Sequence, residues 1–481
     1  MKAHYLPLIT SLLFSAPLAY SENLQLPDMG DSTGTLISPA QEKALGQSFF
    51  RSIRSQLTIS YDADIQNYIQ DIGRRLVTNS DNPYQYFYFF VVLSDDINAF
   101  AGPGGFIGIN SGLILNSESE SELASVMAHE IAHVTQRHIY RAYEAATRLS
   151  LPAAAAMIAA IVVATQAPDV GIGAISAVQA GSVQMQIDFT RDNEQEADRI
   201  GLKTLAKSQF DPRSMPKFFE RLQQASRYYG QGAPEFLRTH PITTSRISDT
   251  RGRAETYPYR QVPDSQYYRL IKAKLRTLSN TPADDLIRYF KHQLNQGTPL
   301  QRAAMEYGLA LSYVKQQNFK AAKTHLLTLA KQFPQQPQYL SALTHIASLQ
   351  NNFKQAAAYS LQLQRQFPNN ISFKFDYIDN LLNSRQAKLA LQFLKTTDYK
   401  HQQQPRFYLL QARAYGDLDH ALNSHRYMAE YYYSTGQIHA AVEQIKLARR
   451  QKGLNFYLAA ILDDRLLYFK QEIKALKELQ K

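Results

Sequence analysis

The chain has 481 residues, with 52 Lys and Arg against 41 Asp and Glu and no cysteine. That length exceeds a single core of ordinary size, and the absence of Cys rules out disulfides and thiolate metal ligands. Residues 301–481 hold 24 Lys and Arg against 12 Asp and Glu, while residues 1–300 hold 28 against 29, so essentially the whole net charge of +11 belongs to the C-terminal part.

Lys2 is the only charge before Glu22, an apolar stretch runs from Tyr5 to Phe14, and Ala19-Tyr20-Ser21 offers small residues at a cleavage position. This pattern reads as a secretory signal peptide over residues 1–21, cut near Ser21 and too short to span a membrane. It directs the chain to the periplasm of a Gram-negative bacterium. No Cys follows to carry a lipid anchor. Residues 22–37 read as a flexible N-terminal segment.

Tyr86 to Leu93 is rich in aromatic and β-branched residues and predicts a strand. Asn98-Ala99-Phe100-Ala101 and Gly105 to Asn110 predict two short extended pieces interrupted by Gly102-Pro103-Gly104-Gly105, which together suggest a small sheet. Ser117 is placed to cap a helix, with Glu120 completing a capping box. Leu123, Val126, Met127, Ile131 and Val134 supply that helix's apolar stripe.

On this helix lies His129-Glu130-Ile131-Ala132-His133. Two imidazoles four residues apart share one face, with a carboxylate between them, the pattern that holds zinc and deprotonates its water. A zinc site needs a third protein ligand. Ile139 and Gln136 occupy the positions where one class of such sites has a third His and a Gly, so that arrangement fails; His138, one residue off register, reads as a solvated helix residue. The better source is Arg191 to Arg199, where Glu194 and Asp198 share a helix face and Glu196 points elsewhere. One carboxylate would bind metal and the other would accept the free ring N–H of a ligating His. Between the two motifs, Leu149–Pro168 and Val170–Ile187 are uncharged. Residues 149–187 are expected to form a hairpin that covers the active-site cleft or rests on a membrane surface, an integral hairpin being the less favoured alternative because the first half is mostly Ala.

Thr239-His240-Pro241 reads as a helix start, with Arg246 on its surface. Pro258 and Pro263 interrupt helical patterning, and a repeat follows. Asn318-Phe319-Lys320-Ala321-Ala322 recurs as Asn352-Phe353-Lys354-Gln355-Ala356, and Gln332-Phe333-Pro334 as Gln366-Phe367-Pro368, each after 34 residues. That is the tetratricopeptide period. The expected division is a catalytic domain over 38–258 and a repeat domain over 259–481. A basic concave solenoid favours acidic partners or an anionic membrane surface; nucleic acid is not expected for an exported protein.

Four separated motifs, 98–105, 129–133, 194–198 and 239–246, together with the repeats, resemble the M48-type zinc metallopeptidases, in particular a periplasmic branch with a tetratricopeptide tail. The resemblance implies an α+β zincin-like metallopeptidase domain followed by an all-α tetratricopeptide-repeat solenoid. It implies one Zn2+ per chain on His129, His133 and Glu194, with Glu130 as general base and Asp198 behind the ligands. It also implies that His240 and Arg246 lie near the oxyanion, His240 occupying the metal's open position in a resting enzyme, and that Asn98–Ala101 is an edge strand on which an extended substrate pairs. The implied clients are misfolded or stalled outer-membrane β-barrel proteins, with the repeat domain docking on the outer-membrane β-barrel assembly machinery. The alternative is a chaperone or scaffold for outer-membrane protein assembly with a latent, self-inhibited protease activity.

Overall fold

A computed structural model of the chain describes residues 38–139, 158, 159, 162, 191–229, 234, 236–399, 402 and 404–478. The signal segment, residues 22–37 and nearly all of the 149–187 stretch lie outside the described residues. Of that stretch, Ile158, Ala159 and Val162 are buried with Leu45, Phe49, Phe90, Phe100 and Phe106.

The chain opens with α1 (Pro39–Gln56), started by a Ser38/Gln41 capping box, and α2 (Ala63–Thr78), capped by Asp62. Three strands follow: β1 (Tyr88–Val92), β2 (Ala99–Ala101) and β3 (Phe106–Asn110). Their order is β1-β3-β2, with β1 parallel and β2 antiparallel to β3. β3 is central and fully buried, so β2 is an edge among the described residues. The turn between β2 and β3 needs glycine: Gly105 has φ +77°, and a Cβ there would fall 1.9 Å from the Tyr86 carbonyl oxygen.

Next come α3 (Ser111–Asn116), α4 (Glu120–Thr135), α5 (Arg191–Lys207), α6 (Ser214–Tyr229), the single turn α7 (Phe236–Thr239) and α8 (Thr244–Glu255). The cap of α4 is Ser119, which accepts from the Glu122 amide, while the Glu122 carboxylate accepts from the Glu118 amide. Ser117 instead closes α3, its hydroxyl donating to the Ile114 carbonyl. The expected cap was therefore one Ser-x-x-Glu too early, since Ser117/Glu120 and Ser119/Glu122 have the same spacing. One core gathers α2, β1, β3, α4, α5 and α6 around Phe89, Ile107, Val126, Leu202 and Phe218.

From here the described chain is entirely helical: α9 (Gln266–Leu278), α10 (Ala283–Gln293), α11 (Pro299–Lys315), α12 (Phe319–Gln332), α13 (Pro337–Leu349), α14 (Phe353–Gln366), α15 (Ile371–Asn383), α16 (Ala387–Lys395), α17 (Pro405–Gly416), α18 (Ala421–Ser434), α19 (Ile438–Arg449) and α20 (Phe456–Glu478). Left-handed residues recur at Gln317, Asn351, Arg385 and Asp419, each 34 positions after the last, and each opens a sharp helix–helix turn. Asn318 and Asn352 cap the helices that follow the first two turns. Ala322, Ala356 and Ala390, at the same period, are fully buried where neighbouring helices meet. No described helix is long and apolar enough to cross a membrane.

The array touches the N-terminal body at its start, at its end, and in between, where Leu363 and Phe373 pack on Ala63 and Ser372 meets Asn67. At its start, Tyr268, Ile271 and Leu275 of α9 enter the body's core while Leu270 and Ala273 face the array. There, too, half-buried Lys274 reaches Asp62, the cap of α2, at 2.6 Å and Asp64 of α2 at 2.7 Å. At its end, Arg51 of α1 pairs with Glu472 at 2.9 Å, and Arg54 donates to the Ser434 carbonyl. A cavity of about 1350 Å3 lies between these contacts, lined among others by Phe50, Arg54, Tyr88, Tyr408 and Arg465.

Asp64 is fully buried, and burial pushes its carboxyl up although Lys274 holds it down. Lys274→Met should thus strand a buried charge. The expected cost is about 3–5 kcal/mol, read as a lowered melting temperature. A second change, Asp64→Leu, should recover part of the loss.

Candidate metal centre

α4 and α5 cross closely enough to place two acidic side chains on two imidazoles. The contact depends on Gly201, where a Cβ would stand 3.0 Å from the His129 backbone nitrogen. His129 and His133 lie one turn apart on α4, and both are fully buried. Their Nε2 atoms are 3.0 Å apart. Glu194 of α5 brings Oε2 to 3.5 Å from His129 Nε2 and Oε1 to 3.4 Å from His133 Nε2. With zinc bonds of about 2.0–2.1 Å, the corners of a ligand tetrahedron stand roughly 3.3 Å apart. The observed spacings match that figure, so the three residues fit a metal ion.

His240 supplies a fourth donor to the same group, all four ligand atoms lying within 4.8 Å of one another. Its Nδ1 is 3.4 Å from His129 Nε2 and 3.0 Å from Glu194 Oε1, and its Nε2 is 3.4 Å from Glu130 Oε1. The residue is not at a helix start as the sequence suggested. It follows the end of α7, while α8 begins later, capped by Thr243. The Phe236 amide bonds to the Ile97 carbonyl, which ties this turn to the approach to β2.

Behind the ligands sit Asp198 and Arg246. Asp198 Oδ1 lies 3.0 Å from His129 Nδ1, on the ring nitrogen away from the metal position. Arg246 donates through Nε and Nη2 to both oxygens of Asp198, at 2.7 and 2.8 Å, and through Nη1 to the Pro241 carbonyl. Nη1 also lies 2.7 Å from Glu194 Oε2. These contacts turn the guanidinium toward the backs of the carboxylates and revise the sequence reading that placed Arg246 beside an oxyanion. They also show that the cation balancing Glu194 and Asp198 comes from α8, not from neighbouring Arg191.

Electrostatics follow from this packing. Burial would lower the His129 imidazole, but hydrogen bonds to Asp198 and Glu194 outweigh it and raise its pKa to about 9. Burial leaves His133 well below the usual range. It raises Glu130 despite the lowering influence of His240, His129 and the Ala101 amide. Glu194 is held well below the usual carboxylate range, against burial, by His240 and the two α4 imidazoles.

The predicted edge residues meet the site. Asn98 is buried, its side-chain oxygen accepts from the Ala99 amide, and its carbonyl accepts from the Asn110 amide. Asn98 and Gly102 bond inward to β3, and Phe100 pairs with Gly108 in the same alternation. Antiparallel alternation therefore turns the main-chain groups of Ala99 and Ala101 away from β3, where Ala99 is fully buried with its amide on Asn98 and the Ala101 amide lies on Glu130. His138 departs from expectation, while Glu196 points away from the donor set as expected. His138 is buried, not solvated, with Nδ1 2.8 Å from His133 Nδ1 and Nε2 3.2 Å from Glu196. The signal for this was a third His, His138, five residues after His133; what hid it was an unannounced left-handed residue, Arg137.

Comparison with known proteins agrees with this geometry. Residues 64–254 match the profile of peptidase family M48. The chain is similar to the beta-barrel assembly-enhancing protease of Escherichia coli K12, 33% identical over 446 residues covering 93% of this chain and 91% of the relative. It is also similar to that of Yersinia pestis, 37% identical over 347 residues, 70% and 71% of the two chains. A more distant likeness is the Schizosaccharomyces pombe mitochondrial metalloendopeptidase OMA1, 28% identical over 210 residues, 43% of this chain and 59% of the relative.

Metal must displace the proton that His129 holds below about pH 9. Metal affinity, measured by chelator competition, should therefore rise from pH 6.5 toward 9. The metal-free protein should behave oppositely. A raised imidazole stabilises the fold fully below its unfolded value of about 6.5 and loses that contribution as pH climbs through 9. Its melting temperature should fall over that window while the metal-loaded form gains.

Proposed function

The chain belongs to peptidase family M48, and from that premise we propose that it is a zinc-dependent endopeptidase of the Gram-negative periplasm. Its clients are misfolded or stalled outer-membrane β-barrel proteins. The observation that carries this reading is the meeting, in one buried place, of the His129, His133 and Glu194 donors, the Glu130 carboxylate and the outer strand β2. The names of the relatives support the client class.

His129, His133 and Glu194 hold the metal, which when bound supplies Lewis acidity toward water and the scissile carbonyl. Zinc suits two imidazoles and a carboxylate in a tetrahedral arrangement, although other divalent ions accept the same donors. The substrate lies extended along β2, so that recognition depends little on side chains. Glu130 takes the proton of the attacking water and returns it to the departing amine; its raised pKa suits both halves of that exchange. Asp198 fixes the His129 ring, and Arg246 locks Asp198 and Glu194. An unfolded β-barrel strand, with its own unpaired edge, matches such a groove.

His240 acts as a latch. It stands at the fourth corner of the donor set and is only 2% exposed, with Glu130 and both α4 imidazoles fully buried beneath it. This closed arrangement also favours the second reading, a chaperone or scaffold with latent proteolysis. The helical array is of the tetratricopeptide kind, supported by its 34-residue turns, and docks on the outer-membrane assembly machinery. The large cavity beside α1 shares no lining residue with the metal donors and suits client holding rather than cleavage.

Glu130→Gln should reduce cleavage of an unfolded outer-membrane protein by about 10²–10⁴-fold while leaving metal content unchanged; equal fragment yields would remove the protease reading. Retained protection of client assembly by that variant would favour the chaperone reading. His240→Ala should raise the cleavage rate, and a fall would reject the latch.

A further inference from the structure

The two imidazoles of α4 are supported in different ways. His129 turns Nδ1 to a carboxylate, Asp198, at 3.0 Å. His133 turns Nδ1 to another imidazole, His138, at 2.8 Å, and His138 in turn reaches Glu196 Oε2 at 3.2 Å. We infer that His138 and Glu196 are positioning residues of the metal centre: together they fix the tautomer and ring angle of His133. The inference rests on the metallopeptidase reading and extends it to two side chains that the sequence reading set aside from the metal site.

Proton placement follows from the contacts. To offer Nε2 to a metal, neutral His133 must carry its hydrogen on Nδ1. The short His133–His138 contact has room for one hydrogen, so His133 donates and His138 Nδ1 accepts. His138 then bears its own hydrogen on Nε2, where Glu196 is the acceptor. Each link allows one assignment, and the chain ends on a carboxylate whose side chain is 29% exposed. Metal-ligating histidines in general hand their second nitrogen to such a partner, which fixes ring orientation.

Backbone geometry is arranged for this contact. On a continuing helix His138 would lie about 140° around and about 7.5 Å along the axis from His133, out of reach of its Nδ1. Instead α4 ends at Thr135, and Arg137 adopts φ 56° with its amide on the Val134 carbonyl, which turns His138 back under His133. Left-handed geometry is unfavourable at a residue with a Cβ, and Gly is the common choice at such a helix end. Glu196 is delivered by α5, the same helix that carries Glu194 and Asp198. One helix thus provides the third ligand and the support for both imidazoles.

The test uses the full mature chain, metal-depleted and titrated with Zn2+ and Co2+ against a chelator, as wild type, His138→Ala, His138→Gln and Glu196→Gln. His138→Ala and Glu196→Gln should weaken metal binding by about 10–100-fold and shift the visible absorption of the Co2+ form. His138→Gln, which keeps an acceptor and a donor, should recover part of the affinity. Metal-free melting temperatures separate positioning from scaffolding: a lowered melting temperature with unchanged metal affinity overturns the inference. Wild-type metal affinity and an unaltered Co2+ spectrum in His138→Ala also overturn it. A wild-type protein that takes up neither ion would instead sink the metallopeptidase reading and this inference with it.

Discussion

The active centre depends on one packing event, the close crossing of α4 and α5. Isolated, each helix would carry an awkward load: α4 two imidazoles and a carboxylate on a face that becomes fully buried, α5 two acids buried to within 2%. Burying unpaired carboxylates costs several kcal/mol each. Their juxtaposition removes the difficulty because each acid meets imidazole nitrogen on one side and the Arg246 guanidinium on the other. Gly201 lets the backbones approach. The third helix of the set, α8, contributes little area but brings the only permanent cation among these groups. The site is an electrostatic unit whose members are tolerable only together.

Much of this was legible in the sequence because it obeys helical periodicity. His129 and His133, and Glu194 and Asp198, are each four apart, so their shared faces follow from the pitch of the helix. The strands around Phe90, Phe100 and Ile107 followed from β-branched and aromatic runs broken by glycine. What escaped were features that periodicity does not encode. Ser117 and Ser119 each precede a Glu by three residues, and only packing selects the second. His138 looked solvated because a helix was assumed to continue; the break comes at Arg137, a residue with no preference for left-handed backbone. Arg246 was placed beside the reaction because proximity to the metal is implied by its motif, whereas the direction its guanidinium faces is set by Asp198, 48 residues earlier. The 149–187 hairpin lies largely outside the described residues.

The basic excess of the C-terminal half was read as a surface for acidic partners. Lys274 lies before that half and takes Asp62 and Asp64 at the start of α2, while Arg406 and Arg413 pair with Asp376 and Asp379 of α15 inside it, so these pairs leave the excess unchanged. Such pairs between residues far apart in sequence cannot be read from a charge count. Nor could the count reveal that the helical array meets the body again at Leu363 and Phe373 and once more at Ser434 and Glu472, beside a cavity.

That return has a mechanical consequence. α1 is clasped by α18 and α20 through Arg54 and Arg51, and on another face its Gly46 rests on the Pro103–Gly104 turn, where a Cβ would stand 2.6 Å from the Pro103 oxygen. The same turn ends the strand that borders Glu130. A stack of paired helices bends like a spring, and this one is anchored at both ends to the part it surrounds. Any cargo that flexed it would therefore pull on α1, and through α1 on the rim of the hydrolytic cleft.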